Sequence, residues 1–250
     1  MVLLHGIYRF AGRRGWTKVN PAAEAERVTV RRRAEFAVLS PAEVQAVARA
    51  TETKQDAALI LVAAFTGLRL GELRALRWRD VDFANRLVHV RRSHYGAASA
   101  EEGPPKSGQA RSVPLIDVAA TALDGLSRRK DFVGPSDRVF CDAGGETLND
   151  GAIRGALYGA LEAAGIDRDR GTGKAFVFHD LRHTFGTLAV QAFALSDVQA
   201  YMGHADIGTT MIYVHHTPQH AAADRLGSLV ADTNAERVPA GTRLSESEVI

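Results

Sequence analysis

Apolar residues recur every three or four positions along most of the chain, which is the spacing of one face of an α-helix. Ser40, followed by Pro41 and Glu43 ahead of an apolar run, has the form of a helix N-cap with a capping box. Gly165 and Gly203 each follow a helical stretch and are typical of C-terminal stop signals. Beyond the helix that begins at Pro41, the predicted helices cover residues 3–11 (ending near residue 15), 55–65, 71–78, 117–130, 150–164, 181–193, 196–202, 209–214 and 219–230.

Two short segments alternate apolar and polar residues instead, as half-buried strands do. They are residues 87–91 and 111–115, and the loop between them is rich in Gly, Pro and Ser. We expect the two to pair, and residues 138–141 are predicted as a third strand ahead of the Gly144-Gly145 turn. The predicted fold class is α+β, mainly α-helical, with a small antiparallel β-sheet at one edge.

Residues 19–38 are polar, contain Pro21 and three consecutive arginines, and show no period. They are predicted to be a basic linker between a helical segment at 1–18 and a domain at 39–230, followed by a disordered tail at 231–250. Residues 1–38 carry eight Lys or Arg and three Glu, whereas residues 231–250 carry two Arg and four Asp or Glu. A basic segment suits the phosphate backbone of nucleic acid, but a solvated face explains it equally well.

The composition narrows the class of protein. With 46% hydrophobic and 24% charged residues and a net charge of +2, the chain is typical of a globular protein. Its longest apolar stretches fall short of a membrane span, and no signal peptide is recognisable at the start. The single cysteine, Cys141, excludes an internal disulfide and a paired-cysteine zinc site. We therefore expect a cytoplasmic protein.

The first candidate motif is T-G-L-R-L-G-E-L at residues 66–73. Glycines bound a turn between two helices, and this turn directs the guanidinium of Arg69 outward. Arginine presents a planar fork that can hold two phosphate oxygens. An arginine in a turn is usually only solvated, so this motif alone is weak evidence.

The second motif is H-D-L-R-H-T-F at residues 179–185, where His179, Arg182 and His183 share one helix face. Two histidines four residues apart also occur in the H-E-x-x-H helix of zinc hydrolases. That motif needs a glutamate where this chain has Asp180, and Arg182 would place a cation beside the metal. A phosphate site at a helix N-terminus fits the residues better.

The third motif is Y-M-G-H-A-D-I-G-T-T-M-I-Y-V-H at residues 201–215. Gly203 ends one helix and Thr209 or Thr210 is predicted to begin the next, which places His204 in the turn and Tyr213 on the second helix. A tyrosine is ordinarily structural, and its phenol, with a pKa near ~10, attacks poorly without a base or clustered cations. The histidines of the other two motifs could supply the base, and their arginines could supply the clustered cations.

In order and spacing, the three motifs resemble the signature boxes of the phage-integrase family of tyrosine recombinases, and the resemblance reaches nearly the whole chain. It implies that Arg69 and Arg182 bind the non-bridging oxygens of the scissile phosphate and that His204 donates a further hydrogen bond. It implies that Tyr213 attacks the phosphorus, leaving a 3′-phosphotyrosyl bond and a free 5′-hydroxyl. His179 would accept the tyrosine proton.

The same family places a lysine in a β-hairpin, where it protonates the departing 5′-oxygen. Lys106, in the loop ahead of Arg111, is the residue that matches this position. Hairpin loops vary and a loop lysine is commonly only solvated, so this match is the least specific. Glu72 and Asp180 are interpreted as buried acceptors that orient their neighbours.

The resemblance also sets expectations about partners. It implies double-stranded DNA as substrate, no metal, ATP or other cofactor, a monomer that forms a tetramer on DNA, and accessory DNA-bending proteins in some members. Residues 1–18 resemble only the last helix of the family's N-terminal DNA-clamping domain, so we expect weak, steeply salt-dependent DNA binding. The apolar residues of 219–230 suit either a neighbouring subunit or the chain's own core.

Two alternatives remain open at this stage. The chain could be a catalytically silent relative that binds DNA or a recombinase partner, although all six chemical positions are filled. It could also be a type IB topoisomerase, which resembles the family in fold and in phosphotyrosine chemistry but relaxes supercoils as a monomer. The target site and the biological role, whether phage integration, transposition or dimer resolution, are not written in these residues.

Overall fold

The computed structural model describes residues 2–25, 36–95, 102–106 and 108–216. The chain divides into two units, Met1–Glu35 and Phe36–Ile250. In the first unit, helix α1 (Val2–Arg13) precedes the short helix α2 (Pro21–Glu24), whose N-cap Asn20 accepts a hydrogen bond from the backbone of Ala22. The predicted domain bounds, 39–230, run beyond the described residues and stay a prediction.

The second unit is mainly helical, as predicted. Its α-helices are α3 (Pro41–Arg49), α4 (Lys54–Thr66), α5 (Leu70–Arg74), α6 (Asp117–Ser127), α7 (Asp150–Ala163), α8 (Asp180–Ala192), α9 (Leu195–Met202) and α10 (Ile207–His216). Its strands are β1 (Val81–Asp82), β2 (Leu87–Val90), β3 (Ser93–His94), β4 (Glu102–Gly103) and β5 (Arg111–Pro114).

Helix α4 lies at the centre of the core. Its sequence is apolar all round, as expected for a helix that is covered on every side, and α3, α6, α7 and α8 all pack against it. At its start the Thr53 side chain accepts from the backbone of Asp56, and at its end Gly67 takes a left-handed conformation with φ of 65°. Because α4 ends in this way, the chain turns directly into α5, and Gly67 in this turn lies against Phe185 of α8.

The small antiparallel sheet has the order β1-β2-β5. The predicted pairing of the segments around Val88 and Val113 is confirmed, since these residues are partners in register. The predicted third strand at 138–141 is wrong. Its ends form only isolated bridges, Arg77 with Arg138 and Cys141 with Thr147, and β1 supplies the third strand instead.

Most helix predictions are confirmed to within two residues, including the capping box at Ser40, where Glu43 and Ser40 exchange hydrogen bonds. Three boundaries differ. The helix predicted at 71–78 is α5 followed by a 3-10 turn at Trp78–Asp80, the helix predicted to reach residue 130 ends at Ser127, and α10 begins at Ile207 rather than at a threonine. The helix predicted at 219–230 and the tail at 231–250 lie outside the described residues. Among the described helices, none combines the length and apolarity that a membrane crossing requires.

Candidate active site

Arg182 joins the three predicted motifs. It lies in the first turn of α8, is 3% exposed, and donates hydrogen bonds to the carbonyl oxygens of Gly67 and Met202. These carbonyls stand at the C-terminal ends of α4 and α9, where the helix dipole favours a cation. The turn that holds Arg69 and the turn that holds His204 are therefore held to α8 by one guanidinium group.

Arg69 lies at the N-terminus of α5 and is half-buried. Its Nη1 donates to Oε1 of Glu72 at 3.1 Å and its Nη2 to the carbonyl of Gly203 at 3.2 Å. Glu72 is 1% exposed and also accepts from the backbone nitrogen of Arg69. The expectation that Glu72 is a buried acceptor that orients its neighbours is confirmed.

Arg111, at the start of β5, is a third arginine that sequence reasoning assigned no role. Its two Nη atoms donate to the two carboxylate oxygens of Glu72 at 2.9 and 2.7 Å, and its Nε donates to the carbonyl of Tyr201 at 2.7 Å. Burial raises the pKa of Glu72, but the hydrogen bonds and charge of Arg111 and Arg69 outweigh burial and leave it lowered. The site thus has three guanidinium groups around a single carboxylate, and the surplus positive charge suits an anion.

His204 lies in the turn between α9 and α10, where Gly203 adopts a left-handed conformation with φ of 60°. Its Nδ1 is 3.0 Å from the hydroxyl of buried Thr210. Partial burial and the positive charges of Arg182, Arg69 and Arg111 lower its pKa to about 4. His204 is therefore neutral at pH 7, and when Thr210 donates to Nδ1, the proton stays on Nε2.

Tyr213 is seated against α8 at Gly186. A Cβ atom at position 186 would lie 2.5 Å from Cζ of the tyrosine ring, so only glycine leaves room for it. The hydroxyl of Tyr213 is 3.0 Å from Nδ1 of His183, and the His183 ring stacks on Phe36 with centroids 4.4 Å apart. The Tyr213 ring lies nearly parallel to that of His204, with centroids 6.4 Å apart. The predicted nucleophile is therefore in the same site as the arginines.

Two pKa shifts describe the electrostatics of the site. Burial raises the pKa of Tyr213 to about 12 even though Arg182 and Arg69 act to lower it. Burial and the charges of neighbouring arginines lower the pKa of Arg182 to about 9, which still leaves it charged at pH 7. In the absence of DNA the tyrosine is thus a neutral phenol, 1% exposed, beside fixed cations.

His179 is the N-cap residue of α8 and is exposed. Its ring meets the His183 ring edge-on, with centroids 5.3 Å apart. Partial burial of the ring and the charges of Arg182 and Arg69 lower its pKa. His179 is thus on the same face of α8 as Arg182 and His183, as the spacing predicted.

Lys106 is exposed in the turn that follows β4 and precedes β5. Lys106 lies in the connection between the paired strands β2 and β5, as predicted, but the strands directly before and after it pair with β3 and β2 rather than with each other, and its role stays a prediction. Asp180 accepts a hydrogen bond from the backbone of Val177 at 2.7 Å and is only half-buried. It therefore stabilises the loop before α8 and does not orient a site residue.

Within the described ranges, no three His, Cys, Asp or Glu side chains are grouped as a metal site requires.

Sequence reasoning missed the roles of Arg111, Gly186 and Phe36 and left His183 without one. The signal for His183 was present, because it shares the helix face of His179 and Arg182. Nothing local marks Arg111, whose partners lie 39 and 90 residues away in the chain. Phe36, 8% exposed, was assigned to the end of the linker although it packs in the core.

Comparison with known proteins gives a consistent result. The model of the phage integrase family matches residues 37–220. Tyrosine recombinase XerC of Pseudomonas putida strain F1 is 30% identical over 226 residues, covering 88% of this chain and 69% of that protein. XerC of Xanthomonas axonopodis pv. citri is 32% identical over 169 residues, covering 67% of this chain and 49% of that protein.

Solved structures share the fold. The integrase of transposon Tn1549, solved in complex with transposon right end DNA, has a TM-score of 0.65 at 21% identity and covers 90% of this chain and 76% of its own. A λ integrase dimer bound to a COC′ core site has a TM-score of 0.60 at 20% identity, with 84% and 69% covered. The arrangement of α-helices around a small sheet is therefore that of these integrases.

Proposed function

The chain belongs to the phage integrase family of tyrosine recombinases, which are DNA strand-transferring enzymes, and on that premise we propose that Tyr213 cleaves and rejoins DNA through a 3′-phosphotyrosine intermediate. The observation that carries the proposal is that Tyr213 lies beside the His204 ring and close enough to Arg182 and Arg69 for their charges to act on its phenol. A phenol surrounded by fixed cations is suited to attack an anionic phosphodiester.

Arg69, Arg182 and His204 are proposed to bind the non-bridging oxygens of the scissile phosphate. Arginine has five N–H donors, and Arg182 uses only two in the carbonyl contacts described, so others can face a phosphate. Neutral His204 with its proton on Nε2 can donate a further hydrogen bond. These donors are fixed before DNA arrives, which is how charge in a pentacovalent transition state is stabilised most effectively.

Two proton transfers complete the proposed reaction. The resemblance assigns Lys106 to protonating the 5′-oxygen as it leaves, and the exposed position of Lys106 on a turn lets it approach bound DNA. The resemblance assigns His179 to accepting the proton of Tyr213. The ester at Tyr213 conserves the energy of the broken phosphodiester, so a 5′-hydroxyl can reverse the reaction without ATP.

Double-stranded DNA is the proposed partner, in the cytoplasm. The Tn1549 and λ integrases were solved with DNA, the latter as a dimer, and their fold matches this one. A tetramer on DNA, a monomer without it and accessory DNA-bending proteins are proposed on the family resemblance.

Covalent trapping tests the proposal with DNA of any sequence, so the target site need not be identified first. The protein is incubated with a pool of nicked duplexes with randomised arms, in which cleavage releases a short strand and prevents rejoining. DNA that stays attached in denaturant is sequenced. We expect the native protein and Tyr201→Phe to retain DNA and Tyr213→Phe to retain none. Equal retention by Tyr213→Phe, or none by the native protein, would refute the proposal.

A further inference from the structure

The imidazole of His204 is held by a buried hydroxyl group. Nδ1 of His204 lies 3.0 Å from Oγ1 of Thr210, which is hydrogen-bonding distance, and Thr210 is 0% exposed. The backbone of His204 is held as well. Its N–H donates to the carbonyl of Gln199 and its carbonyl accepts from Nε2 of Gln199, both at 3.1 Å. The main chain and one ring nitrogen of His204 are therefore both fixed by neighbouring residues.

The direction of the hydrogen bond between Thr210 and His204 follows from the chemistry of the two groups. A threonine hydroxyl has one proton to donate, whereas a neutral imidazole carries one N–H and one acceptor nitrogen. Within the part of the chain that the structure describes, the hydroxyl of Thr210 contacts no acceptor other than Nδ1 of His204. If it accepted from Nδ1–H instead, its own proton would be buried without an acceptor. Thr210 therefore donates to Nδ1, and the proton of the neutral imidazole lies on Nε2.

The second ring nitrogen of His204 is accessible to a ligand. Nε2 makes no hydrogen bond to a described residue, and it is not a buried atom. Partial burial of the ring and the charges of three neighbouring arginines lower the pKa of His204 to about 4, so Nδ1 remains an acceptor at pH 7. His204 thus has one nitrogen fixed by Thr210 and an N–H group on the other that can bind an anion.

Thr210 and the proposed nucleophile lie on the same helix. Thr210 and Tyr213 are three residues apart on α10, both are buried, and the Tyr213 ring lies nearly parallel to that of His204. One helix thus positions the attacking hydroxyl and, through Thr210, a donor to the phosphate. We propose that Thr210 is a positioning residue, whose hydroxyl holds the His204 ring in the orientation and tautomer that present Nε2–H to the scissile phosphate. The inference rests on the proposed function, since it concerns one donor of that reaction.

The first test is the NMR spectrum of the DNA-free protein with isotope-labelled histidine, in which a nitrogen that carries a proton is distinguished from an acceptor nitrogen. The signals of His204 are identified by their absence from His204→Gln. We expect the native protein at pH 7 to have the His204 proton on Nε2. Thr210→Val, which removes the hydroxyl but keeps the shape, should shift the Nδ1 signal, and Thr210→Ser should retain it. A proton on Nδ1 in the native protein, or an Nδ1 signal that Thr210→Val leaves unchanged, would overturn the inference.

The second test is single-turnover cleavage of a duplex recovered from the trapping pool. Thr210→Val should cleave more slowly than the native protein by about tenfold or more. Thr210→Ser should cleave normally, and so should Thr209→Val, the same change at the exposed neighbouring threonine of α10. In a His204→Ala background, Thr210→Val should change the rate by less than about twofold, because the hydroxyl acts through the imidazole. A loss that persists in that background, or Thr210→Ser cleaving no better than Thr210→Val, would overturn the inference.

The spectra decide the question where cleavage cannot. If Thr210→Val does not fold, as thermal unfolding would show, or if the His204→Ala background cleaves too slowly to measure, the position of the His204 proton in the native protein supports or overturns the inference. Failure of the native protein to form any adduct would instead count against the proposed function, because the spectra need no DNA and test the contact of Thr210 with His204 separately.

Discussion

Tyr213 is kept un-ionised by its surroundings until a substrate and a base act on it. Its pKa is raised to about 12 because burial outweighs the attraction of Arg182 and Arg69. The same arginines act on His204 in the opposite sense, since they disfavour a further positive charge and help to lower its pKa to about 4. One set of cations therefore gives a site with neutral histidine and fixed guanidinium donors.

The position of the Tyr213 ring depends on residue 186 having no side chain. Gly186→Ala improves helix propensity but places a Cβ against the tyrosine ring, so the ring must move. We expect covalent DNA trapping to fall about 100-fold, the loss typical of a misplacement near 1 Å. Gly125→Ala, on the exposed face of α6, is the control, because its Cβ would meet open space, and it should trap DNA normally. Normal trapping by Gly186→Ala would show that close packing of Tyr213 on Gly186 is not required.

His204 makes the folded protein sensitive to acid. Its pKa is about 4 when folded and near 6.5 in the unfolded chain, so the unfolded state binds the proton first as the pH falls. Stability from this group is complete above about pH 6.5 and is lost as the pH falls toward 4. Thermal unfolding of His204→Gln should show a smaller decrease in Tm between about pH 7 and 4.5 than that of the native protein. Equal decreases would contradict this assignment.

At the scale of elements, the α4–α5 turn and the α9–α10 turn are fixed by hydrogen bonds from arginine side chains to helix-end carbonyls and by the ion pairs of Glu72. Arg111 connects the start of β5 to Glu72 on α5 and to the last turn of α9. Arg182 connects the ends of α4 and α9 to the start of α8. Each connection uses an arginine with several donors, for which lysine has no equivalent geometry.

The pair of Arg111 and Glu72 should therefore contribute to stability as well as to the site. Arg111→Met leaves a buried carboxylate with Arg69 as its remaining cation, and we expect the free energy of unfolding to fall by about 3 kcal/mol. Arg128→Met removes an exposed pair with Asp124 and should cost less than about 1 kcal/mol. Urea unfolding of both variants checks the difference. Similar values for the two would mean that the buried pair does not hold these elements together.

Local signals predicted the elements better than the contacts between them. The capping box at Ser40 and the glycine at 203 act through neighbouring residues, and both were predicted correctly. The strand predicted at 138–141 failed because strand pairing needs a partner, and these residues form only isolated bridges. The 71–78 helix failed because Arg77 and Asp80 close a 3-10 turn that helical periodicity does not reveal.

At the scale of the whole molecule, the three motifs predicted which residues lie together in the site, but not the hydrogen bonds and ring contacts between them. Arg69, Arg182, His204 and Tyr213 share one site, and Glu72 orients two arginines as expected. The helix face of His183 could be read from its spacing, but its contact with Tyr213 and the hydrogen bonds of Arg111 to Glu72 and Tyr201 depend on packing between distant segments. Lys106 stays a prediction from the hairpin position alone.

The central claim is that the oxygen of Tyr213 becomes covalently bonded to DNA. Trapped adduct from the native protein can be digested with nuclease and protease, and the peptide that retains a nucleotide identified by mass spectrometry. The account predicts a nucleotide on Tyr213 and an identical result for Tyr201→Phe. A nucleotide on any other residue, or an adduct from Tyr213→Phe, would contradict it.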